Sequence, residues 1–305
     1  MKVLVFGSFV VDLMARAYRL PQNGETVKGS FFKQGAGGKG FNQCVAAHKA
    51  GADVKMITKL GKDSLSNVCL DIMNELHMPK DGILFSESTA TGIALIMVDE
   101  NTSENKILIV PGACAEIKTS EIDNLKSLFS DAEYILLQLE VNQDANEYAV
   151  NLANSLGCKV IVNTAPYAPM SDEFLSKLWL ITPNEHEAEE LSGIKVDSLE
   201  SAKEAANYFK QKGVKNVLIT LGKHGVFISA DGIEEIVPAY HVKAIDTTGA
   251  GDAFNGGMLA ALAEGKSLLE AVKFGNAVGA LSVQKLGTTP SMPTREEIDE
   301  FIKNN

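Results

Sequence analysis

The residues with the clearest potential for chemistry lie near the carboxyl end of the chain, in Asp246-Thr247-Thr248-Gly249-Ala250-Gly251-Asp252. The stretch 253–263, rich in Ala, Leu and Met, is predicted to be a helix, preceded by a short strand at 242–245. The glycines would leave backbone N–H groups free at the positive end of the helix dipole, which suits a phosphate group. A carboxylate beside an anion site is repulsive, but Asp252 would have a task there as a base that accepts a hydroxyl proton. Alternatively, Asp246 or Asp252 is an ordinary helix cap.

A second glycine-rich segment, Gly35-Ala36-Gly37-Gly38-Lys39-Gly40, precedes a helical pattern. With Asp63 about twenty residues further on, its spacing matches a dinucleotide-binding fingerprint. The Lys inside the turn is unexpected in that role. A P-loop is excluded too, because Gly40 stands where Ser or Thr would ligate magnesium. The ammonium of Lys39 and the amide of Asn42 beside bare backbone favour binding of sugar hydroxyls instead.

Short runs rich in Val, Ile and Leu, most of them separated by helical patterns, predict the elements that must position these residues. The predicted strands lie at 3–6, 54–60, 134–139, 159–162, 178–182 and 216–221. This order predicts an α/β fold with a Rossmann-like, mainly parallel sheet and helices on both faces. Ligands of such sheets bind beyond the carboxyl ends of the strands. The residues at those ends are Gly7, Ser8, Glu140, Asn163, Asn184 and Gly222.

Two segments, at about 10–34 and 88–110, depart from this order. The second contains alternating apolar stretches at 91–96 and 106–110, and neither segment has clear helix caps. Two separate inserts can pair only if they meet in space. We therefore expect a small β-sheet lid over the strand ends of a single domain that spans 1–305.

Composition limits the function classes. The chain has 305 residues, 45% apolar and 22% charged, with a net charge of −11 and no cluster of Lys and Arg, which argues against nucleic acid or a membrane as the main partner. The four Cys residues are widely spaced, so neither a zinc site nor a disulfide framework is indicated. The apolar run at 3–6 is too short for a signal or membrane segment. We expect a cytoplasmic protein that acts on small molecules.

Together, the motifs resemble the ribokinase family of sugar kinases over essentially the whole chain and in the expected order. Gly38, Gly40 and Asn42 are similar to the family's N-terminal signature, and 246–252 resembles its C-terminal one. Between them, 182–187 resembles the nucleotide-side motif, and 220–225 resembles the ATP-binding strand and turn. The resemblance implies an ATP-dependent sugar kinase with a ribokinase-like α/β domain and a β lid that often serves as a dimer interface, and hence a homodimer.

The resemblance also implies roles for individual residues. The sugar would be contacted by Asp12, Gly38, Lys39, Gly40, Asn42 and Glu140. The nucleotide site would be lined by Asn184, Thr220, Gly222, Gly225, Gly251 and Asn276. The anion hole would consist of Gly249, Ala250 and Gly251, with Asp252 as the catalytic base. Plainer alternatives are a solvated carboxylate at Glu140, a helix cap at Asn184 and a surface charge at Lys39.

Two cations are implied by the same resemblance. A potassium ion near the anion hole would order that loop, held mostly by oxygens of Asp246, Thr248, Ser282, Lys285 (backbone), Gly287 and Ser291. Magnesium would arrive with ATP and bridge its phosphates, with Glu187 helping through water.

One departure from the family pattern bears on the substrate. Ribokinases proper carry Gly-Ser-x-Asn-x-Asp after the first strand, whereas this chain has Val10 in place of the Asn. An apolar side chain would leave a buried sugar hydroxyl unsatisfied, at about 1–3 kcal/mol. Members of the family that phosphorylate 2-deoxyribose are similar in having an apolar residue here. Ribose, 2-deoxyribose, other furanoses and nucleosides stay open as substrates, and Val10 alternatively packs in the lid hinge.

Three classes of function are therefore compared: the sugar kinase, a nicotinamide oxidoreductase that uses the glycine segment at 35–40, and a non-catalytic sensor on a kinase scaffold. Asp252 beside Gly249 and Gly251 favours the kinase, since neither rival needs that combination. The predicted reaction transfers the γ-phosphate of ATP to the 5-hydroxyl of a pentose, with lid closure excluding water.

Overall fold

The computed structural model describes residues 1–102 and 104–305. Ser103, which lies inside the second segment predicted to form the lid, is outside the described residues. The strands are β1 Lys2–Phe6, β2 Val10–Ala17, β3 Phe31–Gly37, β4 Asp53–Gly61, β5 Ile83–Ser86, β6 Thr91–Asp99, β7 Asn105–Gly112, β8 Tyr134–Leu137, β9 Lys159–Val162, β10 Leu180–Ile181, β11 Asn216–Thr220, β12 Val226–Ala230 and β13 Ile233–Val237. The α-helices are α1 Lys39–Lys49, α2 Ser66–Glu75, α3 Thr119–Asn124, α4 Lys126–Ser130, α5 Gln143–Ser155, α6 Asp172–Leu175, α7 Glu185–Ser192, α8 Leu199–Gln211, α9 Ala250–Ala263, α10 Leu268–Ser282 and α11 Arg295–Asn304.

The larger sheet has the strand order β13-β12-β11-β10-β9-β8-β1-β4-β5. Strands β12 and β13 are antiparallel at one edge, and the other strands pair in parallel. The predicted fold class, a mainly parallel sheet in an α/β protein, is confirmed. Every predicted strand from 3–6 to 216–221 overlaps a parallel strand, whereas β5, β12 and β13 were not predicted.

Helices cover both faces of this sheet because its strands are apolar on both sides. On β1, Val3 and Val5 belong to a core cluster shared with α1, α9 and α10. The alternate residues, Leu4 and Phe6, belong to a second cluster shared with α5 and α8. Successive side chains of a strand point to opposite faces, so a continuous apolar run supplies both cores.

Helix α1 packs closely on α9 because small residues lie at the crossing. A Cβ on Gly256 of α9 would lie only 2.5 Å from both the Cβ of Ala46 and the carbonyl oxygen of Gln43. Only glycine fits at that point of α9. This crossing determines how far the side chains of α1 lie from those at the start of α9.

The smaller sheet has the order β3-β2-β6-β7, with β2 and β6 parallel and the other pairs antiparallel. Its strands come from the two segments in which the sequence predicts β structure, so the small separate sheet is confirmed. On β2, Val10 and Asp12 are two residues apart and share one face of this sheet. On the other face, Leu95 lies directly opposite Leu108, and both side chains are exposed.

The approach to α9 differs from the prediction. The expected strand at 242–245 is wrong: this stretch is a loop, and Ile245 N–H and Asp246 N–H both donate to the carbonyl of Val283 at the end of α10, at 2.7 and 3.1 Å. Helix α9 begins at Ala250 rather than at 253. Among the described residues, no helix is both long and apolar enough to cross a membrane.

Candidate active site

The start of α1 meets the end of β8 through Glu140. The backbone N–H of Lys39, the first residue of α1, donates to Glu140 Oε2 at 2.8 Å, and the hydroxyl of Ser8 donates to the same oxygen. The helix can begin here because Gly38 has φ of +90° and a Cβ on it would lie within 3.0 Å of the backbone at Phe9 and Val10. Glu140 is thus held at a helix N-terminus rather than left as a freely solvated carboxylate.

Asp12 extends from β2 of the small sheet towards Glu140. Burial, followed by repulsion from Glu140, raises the pKa of Asp12 to about 6. Val10 is buried on the same face and packs against Gly92, where an added Cβ would lie 2.9 Å from its Cγ1. The small sheet therefore contributes one carboxylate and one apolar side chain to the same region.

Asp252 lies in the first turn of α9 and is almost completely buried. Its Oδ2 accepts a hydrogen bond from Asn42 Nδ2 at 3.1 Å, and its Oδ1 accepts one from Gln43 Nε2 at 2.9 Å. Burial raises the pKa of Asp252, and the opposing effects of Lys39 and of these hydrogen bonds are smaller. The cap of α9 is Gly249, so Asp252 does not act as a helix cap.

Lys39 is the cation among these acids. Burial alone would lower the pKa of its ammonium, but attraction by Asp252, Glu140 and Glu187 outweighs it, and the pKa is raised. A half-buried ammonium that stays charged suits neutralisation of a phosphate as well as binding of a hydroxyl. Lys39 is therefore not an isolated surface charge.

The predicted anion hole lies at the N-terminus of α9. Gly249 adopts a left-handed conformation with φ of +77°, and a Cβ on Gly251 would meet no atom within 4 Å, so space is open beside it. The N–H of Ala250 donates to the carbonyl of Thr247 at 3.2 Å. The N–H groups of Gly251 and Asp252, in the first turn, have no intrahelical acceptor and suit an incoming phosphate.

The predicted nucleotide-site residues fall into two neighbouring groups. Asn184 forms a parallel bridge with Thr220 and caps α7, with its side chain accepting the N–H of Glu187 at 2.8 Å. The turn at Gly222 follows Thr220 directly. Asn276 donates to the carbonyls of Val237 and Pro238 at 3.3 and 3.1 Å. The backbone of these two residues also lies in close contact with Gly225. The plainer interpretation of Asn184 as a cap is thus confirmed.

Of the residues implied for potassium, Thr248 and Gly287 contact Asp246 directly. Its two carboxylate oxygens accept the N–H groups of Thr248 and Gly287, each at 2.9 Å. Burial would raise the pKa of Asp246, but these hydrogen bonds outweigh it and the pKa is lowered. The other three residues are held by hydrogen bonds within their own turns. The hydroxyl of Ser282 donates to the carbonyl of Gly279, and the N–H of Lys285 donates to the carbonyl of Ser282. The hydroxyl of Ser291 donates to the carbonyl of Thr288. An oxygen-rich loop with an ionised carboxylate fits an alkali cation.

Glu187, expected to help magnesium through water, is already engaged at one oxygen. Its Oε2 accepts from the hydroxyl of Thr164 at 2.9 Å and from the N–H of Asn184 at 3.0 Å. These bonds fix the carboxylate of Glu187 in place.

Several polar residues beneath the site were not predicted to act there. They are Gln43, Gln138, Thr182, Asn255 and Thr289; Asn163, which was predicted as a strand-end residue, is hydrogen-bonded to two of them. The available signal was a polar pair, Asn42 and Gln43, inside an otherwise apolar stretch of α1. Buried amides are retained where each polar atom has a partner, so such a pair indicates a polar network.

The dinucleotide-binding hypothesis for 35–40 is wrong. Gly35, Ala36 and Gly37 are the last residues of β3, an antiparallel strand of the small sheet, so the segment does not follow a parallel strand of the main sheet. Asp63, the acid at the matching spacing, accepts the N–H groups of Leu65, Ser66 and Thr91 at 2.7–3.0 Å. Its carboxylate stabilises a turn and is not free for a ribose.

Comparisons with known proteins agree with this geometry. A profile described as pfkB family carbohydrate kinase matches residues 1–295. A ribokinase of Haemophilus influenzae is 39% identical over 300 residues, covering 98% of both chains, and a deoxyribokinase of Salmonella typhi is 34% identical over 306 residues, covering 100% of both. The structure of Arabidopsis thaliana ribokinase complexed with ribose and ATP has a TM-score of 0.93 and 30% identity, covering 99% of this chain and 98% of that one. The chain belongs to the pfkB family of carbohydrate kinases.

Proposed function

We propose that this protein is an ATP-dependent pentose kinase that forms ADP and a pentose 5-phosphate. The observation that carries the proposal is the buried Asp252, held by two amides at the N-terminus of α9 with Lys39 as its nearby cation. The names of the relatives, ribokinase and deoxyribokinase, support a pentose as acceptor, and the Arabidopsis complex supports ATP as donor.

In this mechanism, Asp12, Lys39, Asn42 and Glu140 bind the sugar hydroxyls, and Asp252 accepts the proton of the 5-hydroxyl as that oxygen attacks the γ-phosphate. A raised pKa makes Asp252 a better proton acceptor than a solvated carboxylate. The N–H groups at the start of α9 stabilise the charge that develops on the transferred phosphoryl group. Phosphoryl transfer depends mostly on positioning and charge neutralisation, which this set supplies.

The nucleotide would bind beside the segments around Thr220, Gly225 and Asn276. Asn184 and Gly222 lie at the same strand ends, where ligands of α/β sheets bind. Glu187 would support a magnesium ion that arrives with ATP, and the Asp246 loop would hold a potassium ion. When bound, the two cations would supply positive charge that offsets the phosphates. The residues themselves hold the loop by hydrogen bonds at Thr248 and Gly287.

The small sheet would serve as a lid that closes over the sugar and as a dimer interface, within one kinase domain that spans 1–305. Its outward face supports the second role, because it carries exposed apolar side chains. These are Phe32, Leu95, Met97, Leu108 and Val110, which are 38–62% exposed. Contiguous exposed apolar surface of this kind is typical of protein interfaces.

2-Deoxyribose is the second candidate acceptor, favoured by Val10. This side chain is buried and shares a face with Asp12, so a sugar hydroxyl directed at it would lack a partner. We expect Val10→Asn to shift the ratio of kcat/KM values towards ribose. An unchanged ratio would remove Val10 from the account of specificity.

The proposed function is tested by ADP formation with ATP, magnesium and potassium across ribose, 2-deoxyribose, fructose and nucleosides. We expect a pentose to be the best acceptor, and phosphate on its 5-position by NMR. Asp252→Asn is expected to lower kcat by roughly 10²–10⁴-fold with little change in ATP binding. Absence of ADP with every acceptor would refute the kinase, and near-full activity of Asp252→Asn would refute its role as base.

A further inference from the structure

Gln43 has the most completely engaged side chain in the neighbourhood of Asp252. It is 0% exposed on α1, next to Asn42. Its Nε2 donates to Asp252 Oδ1 at 2.9 Å and to Asn163 Oδ1 at 3.0 Å, which uses both N–H groups of the amide. Its Oε1 accepts from Gln138 Nε2 at 2.6 Å. The side chain is therefore fixed on three sides and has no surface left for a ligand.

The chemistry of the partners fixes the orientation of this amide. An ionised carboxylate only accepts hydrogen bonds, so the nitrogen of Gln43 must face Asp252. Its oxygen then faces Gln138, whose nitrogen donates to it. Asn163 is fixed in turn, because its own nitrogen donates to the carbonyl of Thr182 at 2.9 Å. A 180° flip of the Gln43 amide would place its oxygen against the oxygens of Asp252 and Asn163, and its nitrogen against the nitrogen of Gln138.

These partners belong to the rigid part of the fold. Gln138 and Asn163 follow β8 and β9 directly at the carboxyl ends of those strands. The second oxygen of Asp252 is held differently, by Asn42, which also accepts from the hydroxyl of Thr289 at 2.9 Å and is assigned to the sugar. Of the two amides that hold Asp252, Gln43 is thus the one tied to the main sheet.

We propose that Gln43 is a positioning residue for phosphoryl transfer: it anchors Oδ1 of Asp252 to the ends of β8 and β9, and so aims Oδ2 at the sugar hydroxyl. This inference rests on the proposed function, in which Asp252 is the base. Gln43 touches neither sugar nor nucleotide and acts only through Asp252. The oxygen held by Gln43 cannot rotate towards the substrate while that hydrogen bond persists.

The test is Gln43→Met, which keeps the length of the side chain and removes both donors. We expect kcat to fall roughly 10- to 100-fold, the effect of one lost hydrogen bond to an ionised group, with KM for ATP within about twofold. The acidic limb of the kcat–pH profile should also move to higher pH, because the lost bond favours the ionised carboxylate. The charged groups facing this cluster, Lys39, Glu140 and Glu187, are unchanged in the variant.

Asn216→Leu is the matched control. Asn216 is also a buried amide, but it starts β11 at the opposite end of the sheet and donates to the carbonyl of Trp179 at 3.0 Å. We expect it to lower the unfolding temperature and leave both kcat and the pH limb unchanged. Gln43→Asn, one methylene shorter, should reproduce the defects of Gln43→Met, and it replaces that variant if Gln43→Met does not fold.

The proposal is overturned if the Gln43 variants keep kcat within about threefold with an unmoved pH limb. It is overturned as well if Asn216→Leu shows the same losses, or if neither Gln43 variant folds, since Gln43 would then serve only stability. The unsubstituted protein and Asp252→Asn are assayed in parallel. Lack of pentose kinase activity in the first, or its persistence in the second, refutes the proposed function rather than the role of Gln43.

Discussion

Replacing Gly37 by Ala gives a direct test of how the small sheet presents Asp12. Gly37 ends β3, and a Cβ there would lie no farther than 2.7 Å from either carboxylate oxygen of Asp12. Ordinary van der Waals contact begins at 3.4 Å, so the carboxylate would have to move by about 1 Å. The atoms displaced are the end of a flexible side chain. We therefore expect a misplaced carboxylate and little loss of stability.

The size of the effect follows from the bonds that Asp12 is proposed to make. A hydrogen bond to an ionised group contributes about 1.5–3 kcal/mol, which corresponds to a roughly 10- to 150-fold rise in KM for the pentose. The KM for ATP should stay within about twofold, because Gly37 lies on the sugar side of the site. The measurement is initial velocity by coupled detection of ADP, with pentose and ATP varied in turn.

Gly35→Ala is the control within the same strand. Gly35 pairs with Asp12 across the sheet, yet a Cβ there would meet no atom within 4 Å. We expect this variant to keep the pentose KM of the unsubstituted protein. Equal KM values for Gly37→Ala and the unsubstituted protein would refute the steric argument, and so would an equal defect in Gly35→Ala.

Three further outcomes are expected. The pKa of Asp12 is raised to about 6 by burial and by Glu140. We therefore expect kcat/KM for the pentose to fall as the pH is lowered through about 6, because the protonated carboxyl is a weaker hydrogen-bond acceptor. The Asp12→Asn variant should lack this acidic fall in the pH profile. Asp246→Ala leaves two backbone N–H groups without their acceptor, so we expect a stability loss of about 1–3 kcal/mol and a weaker response of kcat when choline replaces potassium. Leu108→Lys, in the proposed dimer interface on the small sheet, should yield a monomer in sedimentation velocity, whereas Ile302→Lys, at an exposed apolar position of α11, should not.

Six parallel strands of the larger sheet were predictable because each is rich in Val, Ile and Leu, and most have a helical pattern nearby; the short parallel strand β5 was missed. The predicted strand at 54–60 and the observed Asp53–Gly61 differ only at their ends. The hairpin of β12 and β13 was missed although Asp231 and Gly232 form a two-residue turn with positive φ, a known hairpin signal. The strand predicted at 242–245 failed for another reason: its backbone partner is the end of α10, which local sequence does not reveal.

At the site, the sequence identified residues but not their surroundings. Asp252 was predicted to be the base from its place in a glycine-rich turn, whereas the direction of its pKa shift depends on burial that only the packed structure reveals. The contribution of Gln43 depends on which face of α1 meets α9, and a single polar residue in a helix does not indicate that. Asn163 was marked as a strand end, and its bond to Gln43 gave that position a role.

The crossing of α1 and α9 at Gly256 has a consequence for how this enzyme can change its substrate. Asn42 and Gln43 reach Asp252 only because the two backbones approach so closely, and any side chain at Gly256 would force them apart. Substitutions there would damage every reaction alike, whatever the acceptor. New sugar preferences are therefore expected to arise in the small sheet, for example at Val10 and Asp12 of β2, where substitutions leave the proposed base Asp252 undisturbed. The proposed base thus lies on α9 of the main domain, whereas the positions at which sugar preference can change lie on the small sheet.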